Sequence, residues 1–165
     1  MGRKKRTSKK TNFSLSLVIP CYNERNRLKT LFEAVDEFAS KWSGPFELII
    51  VDDGSEDGTS DQVEQQEDFI KWREEGKAKL LTQPKNMGKG AALKRGVSAA
   101  GGDYILTLDA DMSTKPIEVI RWFEAKQELF DGQTILIGSR EHPSSDVECS
   151  RHRQFIGRVF NGLVR

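Results

Sequence analysis

Cysteine is nearly absent from this chain: Cys21 and Cys149 are the two among 165 residues. They form no C-x-x-C pair and no metal-like spacing, so no disulfide framework is encoded. A reducing, cytoplasmic setting suits that usage. Long apolar runs are missing as well. No stretch approaches the roughly 20 residues needed to cross a bilayer. The basic N-terminus is not followed by the apolar segment of a secretory signal. A dominant charge is also lacking: 26 Lys and Arg stand against 25 Asp and Glu. The molecule as a whole therefore does not announce a nucleic-acid partner. What remains, 36% hydrophobic and 31% charged residues, is the balance of an ordinary globular domain long enough to bury a core.

The charge that is present is unevenly placed. Arg3, Lys4, Lys5, Arg6, Lys9 and Lys10 form a basic run without an acid. Such a run reads as a disordered, solvated tail over residues 1–12. The alternative is a contact with a membrane surface, since each basic side chain near anionic lipid contributes about 1 kcal/mol.

Beyond the tail, strand and helix patterns alternate. Residues 14–19 form an apolar strand stopped by Pro20. Asn23 is suited to cap a helix whose Leu28, Leu31, Phe32, Val35, Phe38 and Trp42 fall on one face. Residues 46–51 are a second buried strand. Thr59 or Ser60 opens a more polar helix carrying Val63, Phe69 and Ile70. A short strand at 79–82, an Ala-rich helix at 88–100 and a strand at 104–108 follow. Pro116 suits the first turn of a helix with Ile117, Ile120 and Phe123 inward. Residues 134–137 predict a fifth strand. This alternation predicts an α/β fold, a three-layer sandwich around a mostly parallel sheet.

In an open parallel sheet, ligands bind beyond the carboxyl ends of the strands. Three of the five expected strands end there in polar groups: Pro20-Cys21-Tyr22-Asn23-Glu24, Asp52-Asp53-Gly54-Ser55 and Asp109-Ala110-Asp111. Acids at such positions also cap helices, which accounts for one of Asp52 and Asp53. Asp109 and Asp111 present two hard oxygen donors one residue apart. They suit Mg²⁺ or Mn²⁺, with diphosphate oxygens and water completing an octahedron. Met87-Gly88-Lys89-Gly90 is neither a P-loop nor a dinucleotide fingerprint. Lys89 at a helix start either faces a phosphate or is an exposed lysine beside glycines that permit tight packing.

These residues resemble the motifs of family 2 glycosyltransferases, in family order. Leu17-Val18-Ile19-Pro20-Cys21-Tyr22-Asn23-Glu24 is similar to the opening motif. Val51-Asp52-Asp53-Gly54-Ser55 with Asp57-Gly58-Thr59 is similar to the second, and Asn86-Met87-Gly88-Lys89-Gly90-Ala91-Ala92 to the third. Leu108-Asp109-Ala110-Asp111-Met112-Ser113 resembles the metal motif, and Gly138-Ser139-Arg140 the block after it. Within the family the similarity is greatest to enzymes that charge a polyprenyl phosphate with one hexose, first the glucosyl type and next the mannosyl type. Ser150-Arg151-His152-Arg153 and Gly157, where mannosyl-type relatives carry Ser, point the same way.

The resemblance implies a GT-A, Rossmann-like donor domain over 13–140, followed at 141–165 by the start of an acceptor-side segment and apparently truncated at Arg165. It implies that Pro20, Tyr22 and Glu24 line the nucleotide pocket, and that Asp53 reads the base with Val51 beside it. Asp109 and Asp111 would hold the metal, with the Ala110 backbone at the diphosphate and Lys89 near the phosphates. Asp111, Arg140 and Arg153 would serve catalysis, the two arginines by meeting the acceptor phosphate as bidentate forks. The expected reaction is inverting, metal-dependent transfer of a hexose, glucose from UDP-glucose, to a polyprenyl or dolichyl phosphate at a membrane surface. Rival readings are a nucleotide-sugar-binding fragment without turnover, and a family member with another donor such as GDP-mannose. A sugar nucleotidyltransferase is disfavoured because no Gly-rich loop follows the first strand.

Overall fold

A computed structural model describes residues 13–138 of the chain. The basic run at 1–12, Cys149, Arg140 and Arg153 lie outside the described residues. The chain divides into two compact units, Met1–Gln133 and Thr134–Arg165. Four strands build the first: β1 (Leu15–Cys21), β2 (Phe46–Asp52), β3 (Ala78–Thr82) and β4 (Tyr104–Thr107). They pair in the order β3-β2-β1-β4 and every pair is parallel.

Helices cover both faces of this sheet, which is why β1 and β2 read as continuous apolar runs rather than alternating ones. On one face Leu15, Leu17 and Ile19 of β1 and Leu48 and Ile50 of β2 meet α1 (Leu28–Lys41). Leu28, Leu31, Phe32, Val35 and Phe38 are the buried stripe of α1, as the helical spacing predicts. On the other face Val18, Ile49 and Val51 meet Ala92 of α4 (Lys89–Ala99). The change of face follows the change of direction in the sheet. The chain steps outward from β1 to β3, then returns across β2 and β1 to reach β4, and right-handed crossovers put that return on the opposite side. The expected three layers are present.

Several local expectations differ. The first strand is not stopped by Pro20: β1 runs through it to Cys21, paired with β2 on the side where the missing N–H is not needed. The polar helix beginning at Thr59 is two helices, α2 (Thr59–Glu64) and α3 (Glu67–Glu74), broken at the extended residue Gln66. In one straight helix Val63 and Phe69 would point about 120° apart. The break turns Val63, Phe69 and Trp72 to the same core. The helix after Pro116 is α5 (Glu118–Ala125), and it buries Val119 and Phe123, leaving Ile117 and Ile120 half-buried. Residues 134–137, expected as a strand, form none: Ile135 is 86% and Ile137 84% exposed, and no ladder reaches them among the described residues. β-propensity alone does not make a strand without partners for its N–H and C=O groups.

Helix α4 lies close to the sheet because Gly96 lets it. A Cβ on Gly96 would stand 2.4 Å from Val18 Cγ1 and 2.9 Å from Val51 Cγ2. Gly90, one and a half turns earlier, has nothing within 4 Å of such a Cβ. The two glycines should therefore answer Ala oppositely. Gly96→Ala is expected to lose about 1–3 kcal/mol through overpacking. Gly90→Ala is expected to gain up to about 1 kcal/mol from helix propensity. Urea midpoints of the two variants, which should move in opposite directions, check this.

Candidate functional site

The strand order reverses direction between β1 and β4, so a crevice opens at their carboxyl ends. Pro20 widens it. The Leu108 N–H donates to the Val18 carbonyl at 3.0 Å. The next rung of a parallel ladder would need an N–H at Pro20, which has none. The strands separate there, and a cavity of about 330 Å³ fills the gap. Pro20 of β1 lines it, with Tyr22 and Glu24 just beyond β1, Asp53 just beyond β2, and Asp109, Ala110 and Asp111 beyond β4. Lys89 closes it from the start of α4. Of the described site residues expected from sequence, only Val51 lies elsewhere: it is fully buried under α4. A second cavity of about 490 Å³ adjoins, sharing Tyr22 and Asn86 with the first.

The first two loops are fastened to each other. Asn23 does not cap a helix. It adopts φ +54°, its N–H donates to Ser55 Oγ at 2.8 Å, and its Oδ1 accepts the Glu56 N–H at 3.0 Å. The helix begins later, after a single 3₁₀ turn at Arg25–Arg27. The Glu24 N–H donates to Thr59 Oγ1 at 3.0 Å and the Arg25 N–H to Asp57 Oδ2 at 3.1 Å. Asp57 also accepts the Thr59 N–H and hydroxyl. Desolvation pushes the Asp57 carboxyl upward, but these hydrogen bonds outweigh it and hold it below the usual range. Asp52 is spent on the same turn: its carboxylate accepts the Ser55 N–H at 3.0 Å, the Ser55 hydroxyl at 2.5 Å and the Ser60 hydroxyl.

Asp53 is the acid that faces the cavity, and it is 3% exposed. Its Oδ1 accepts Gln83 Nε2 at 2.5 Å and the Met87 N–H at 2.8 Å, while Oδ2 accepts the Gly88 N–H at 2.8 Å. Sequence reasoning gave one of Asp52 and Asp53 to helix capping; the bonds of both instead hold loops. Gly54 completes the junction. It has φ +71°, and a Cβ there would lie 2.4 Å from the Lys85 carbonyl carbon. Glycine is required on both counts.

Leu108, Ala110 and Met112 are buried while Asp109 and Asp111 are exposed. The alternation turns both carboxylates into the cavity and sends Ala110 into the core. One Asp111 oxygen accepts the Ser113 N–H at 2.9 Å. Asp109 Oδ1 meets Lys89 Nζ at 2.5 Å. Lys89 is exposed and faces the cavity, where its partner is a carboxylate; Gly88 and Gly90 beside it make no tight packing contact. Arg27, which sequence reasoning missed, also lines the cavity and pairs with Glu24 at 2.9 Å. Its position three residues after Glu24, one helical turn on, is the signal that could have found it.

Four carboxylates and two cations line this cavity: Glu24, Asp53, Asp109 and Asp111 against Arg27 and Lys89. An excess of negative charge repels an anionic nucleotide unless a cation accompanies it. Among the described residues no three His, Cys, Asp or Glu side chains form a complete metal cluster. Two carboxylates fit Mg²⁺ or Mn²⁺ when phosphate oxygens and water supply the other positions. Cys21 lies at the cavity floor but is no nucleophile. Burial, with Glu24 and Asp52 adding to it, pushes its thiol up to about 12.

The sequence model of "Glycosyl transferase family 2" matches residues 16–160. "Dolichyl-phosphate beta-glucosyltransferase ALG5C" of Trichomonas vaginalis is 31% identical over 159 residues, covering 90% of this chain and 45% of that protein. The chain thus spans less than half the length of that relative. Among solved structures, Staphylococcus aureus TarS 1–349 in complex with UDP-GlcNAc is similar with a TM-score of 0.54 and 26% identity, over 70% of this chain and 32% of that one. The mannosyltransferase PcManGT from Pyrobaculum calidifontis, in complex with GDP-Man and Mn²⁺, has a TM-score of 0.50 at 24% identity, over 61% of this chain and 28% of that one. These neighbours share the GT-A, Rossmann-like architecture.

Two outcomes follow from this geometry. Asp53→Asn turns an amide N–H toward at least one of three N–H donors and should cost roughly 1.5–3 kcal/mol. Amide exchange at Met87 and Gly88 should accelerate, which NMR in D₂O reads directly. Cys21 should resist iodoacetamide at pH 8 in the folded protein and react once urea unfolds it, because the thiolate is the reactive form. Peptide mass spectrometry scores that site.

Proposed function

The chain belongs to glycosyl transferase family 2, and we propose that it binds a nucleotide sugar with a divalent metal and moves the hexose to a polyprenyl phosphate. The observation that carries this reading is the cavity at the sheet's switch point, where four separate sequence motifs meet around an acid pair. We assign the diphosphate to the part bounded by Lys89 and Asp109–Asp111. The nucleoside extends past Tyr22 toward the adjoining cavity. Asp53 keeps one acceptor position on Oδ2 beside its Gly88 bond, and we assign that position to a base N–H.

We assign Asp109 and Asp111 to Mg²⁺ or Mn²⁺; once bound, such an ion neutralises the charge that grows on a leaving diphosphate. The donor is UDP-glucose in this reading, supported by the glucosyl-type relative and by the UDP sugar bound to the structural neighbour. In the transfer a bond forms between an acceptor phosphate oxygen and the anomeric carbon. The bond from that carbon to the diphosphate breaks, its electron pair leaving with the diphosphate and the configuration inverting. The attacking oxygen is already anionic, so no strong general base is needed. Arg140 and Arg153 are assigned to the acceptor phosphate, whose geometry a guanidinium fork matches. With such an acceptor we assign the reaction to a membrane surface, on the cytoplasmic side. Among the described residues no helix is long and apolar enough to cross a membrane. Lys4, Lys5 and their neighbours would meet anionic lipid there.

A thermal-shift series of UDP- and GDP-sugars with Mn²⁺ tests the donor claim. UDP-glucose should raise Tm by several degrees, since occupancy at about 100 times Kd stabilises by about 2.7 kcal/mol, and Asp111→Asn should abolish the shift. If no nucleotide sugar stabilises the wild type, the reading fails. Radiolabelled hexose transfer to a polyprenyl phosphate separates an enzyme from a binding fragment, which would show the shift without the product.

A further inference from the structure

The contact that the proposed donor reading does not use is the Lys89–Asp109 ion pair. Lys89 is the first residue of α4. Its position is set from the other side of the cavity, because Asp53 holds the N–H of the preceding residue, Gly88, at 2.8 Å. Its ammonium reaches across to Asp109 Oδ1 at 2.5 Å. That oxygen belongs to one of the two carboxylates suited to a divalent cation. A metal bonded to Asp109 and an ammonium hydrogen-bonded to the same oxygen repel at close range.

We propose that Lys89 is a tethered cation that occupies Asp109 in the donor-free protein and gives it up when metal and nucleotide diphosphate arrive together. This rests on the donor reading above. Two consequences follow from charge alone. Without nucleotide, Lys89 opposes the metal, both by engaging its ligand and by repulsion. With nucleotide, the displaced ammonium finds the diphosphate, whose charge exceeds what one divalent ion cancels. The first turn of α4 lies beside it, and its N–H groups also favour an anion. Lys89 thereby couples the two ligands. Metal alone binds weakly, metal with diphosphate binds well, and the acid pair is not left bare between turnovers.

The test measures Mn²⁺ binding by the loss of the free-ion EPR signal, with and without UDP, in the wild type, Lys89→Met and Arg27→Met. Arg27 lines the same cavity and carries the same charge but pairs with Glu24 rather than with Asp109. Without UDP, Lys89→Met should bind Mn²⁺ about three- to ten-fold more tightly than the wild type, the scale of an exposed ion pair together with the repulsion removed. Arg27→Met should show less than half of that tightening. UDP should strengthen Mn²⁺ binding in the wild type by a larger factor than in Lys89→Met. Unchanged or weaker Mn²⁺ binding by Lys89→Met without UDP overturns the proposal. Equal tightening in the two variants overturns it as well, since a general field would then suffice. If the wild type binds no Mn²⁺ even with UDP, the donor reading itself fails, and that result is distinct from the other two. Circular dichroism and urea midpoints establish that each variant is folded.

Discussion

The buried Asp53 carboxylate is the interaction on which the arrangement of the site depends. It stands at the end of β2 and accepts N–H donors from Gln83, Met87 and Gly88. Those donors belong to the loop between β3 and α4. One side chain therefore fixes how that loop returns over the sheet, and with it where α4 begins. Buried acceptors are costly when unpaired and hold position firmly when paired. The same loop passes so near Gly54 that no side chain fits there. Lys89 faces Asp109 because this chain of contacts delivers it, although the two residues lie on elements that reach the cavity from different strands.

A second constraint is an omission. Parallel sheets hold together through a regular ladder, and Pro20 withdraws one rung at the boundary between β1 and β4. The ladder continues on the β2 side, where the Asp53 N–H donates to the Cys21 carbonyl at 2.8 Å. The sheet thus parts on one side only, at the position where its strand order reverses. The architecture supplies the direction of the opening and the proline supplies its depth. Glu24, Arg25 and Asn23 then clasp the 55–59 loop through hydrogen bonds.

Much of this was legible in the residues. β1 and β2 announced themselves because strands covered on both faces need no polar alternation, and α1 did so through its apolar stripe. The acid pair was legible because a strand end with two carboxylates one residue apart presents both on one side. The failures have a common physical origin: they depend on partners distant in sequence. Asn23 looks like a helix cap by type, yet its acceptor is used by Glu56. The α2–α3 break is set by where the core lies, not by any breaker residue between Val63 and Phe69. Residues 134–137 have the composition of a strand, but pairing decides a strand and composition does not. At Asp53 the spacing gave no hint that three loop donors bind the carboxylate.

The electrostatics of the cavity turn these local facts into a chemical preference. Parallel strands bring their carboxyl ends, and the side chains that follow them, to one side of the molecule. Here those side chains are mostly acids, which suits loop anchoring and disfavours an anion. A site of this kind accepts a diphosphate only with a compensating cation. Of the two cations already in the cavity, Arg27 is paired with Glu24 and the Lys89 ammonium sits on Asp109. That ammonium is too weak to cancel a diphosphate alone, and a divalent ion bonded to Asp109 would release it. In the reading proposed above, the acid pair belongs together with the lysine that answers it: the carboxylates select for a metal, and the lysine makes that selection depend on the phosphate arriving with it.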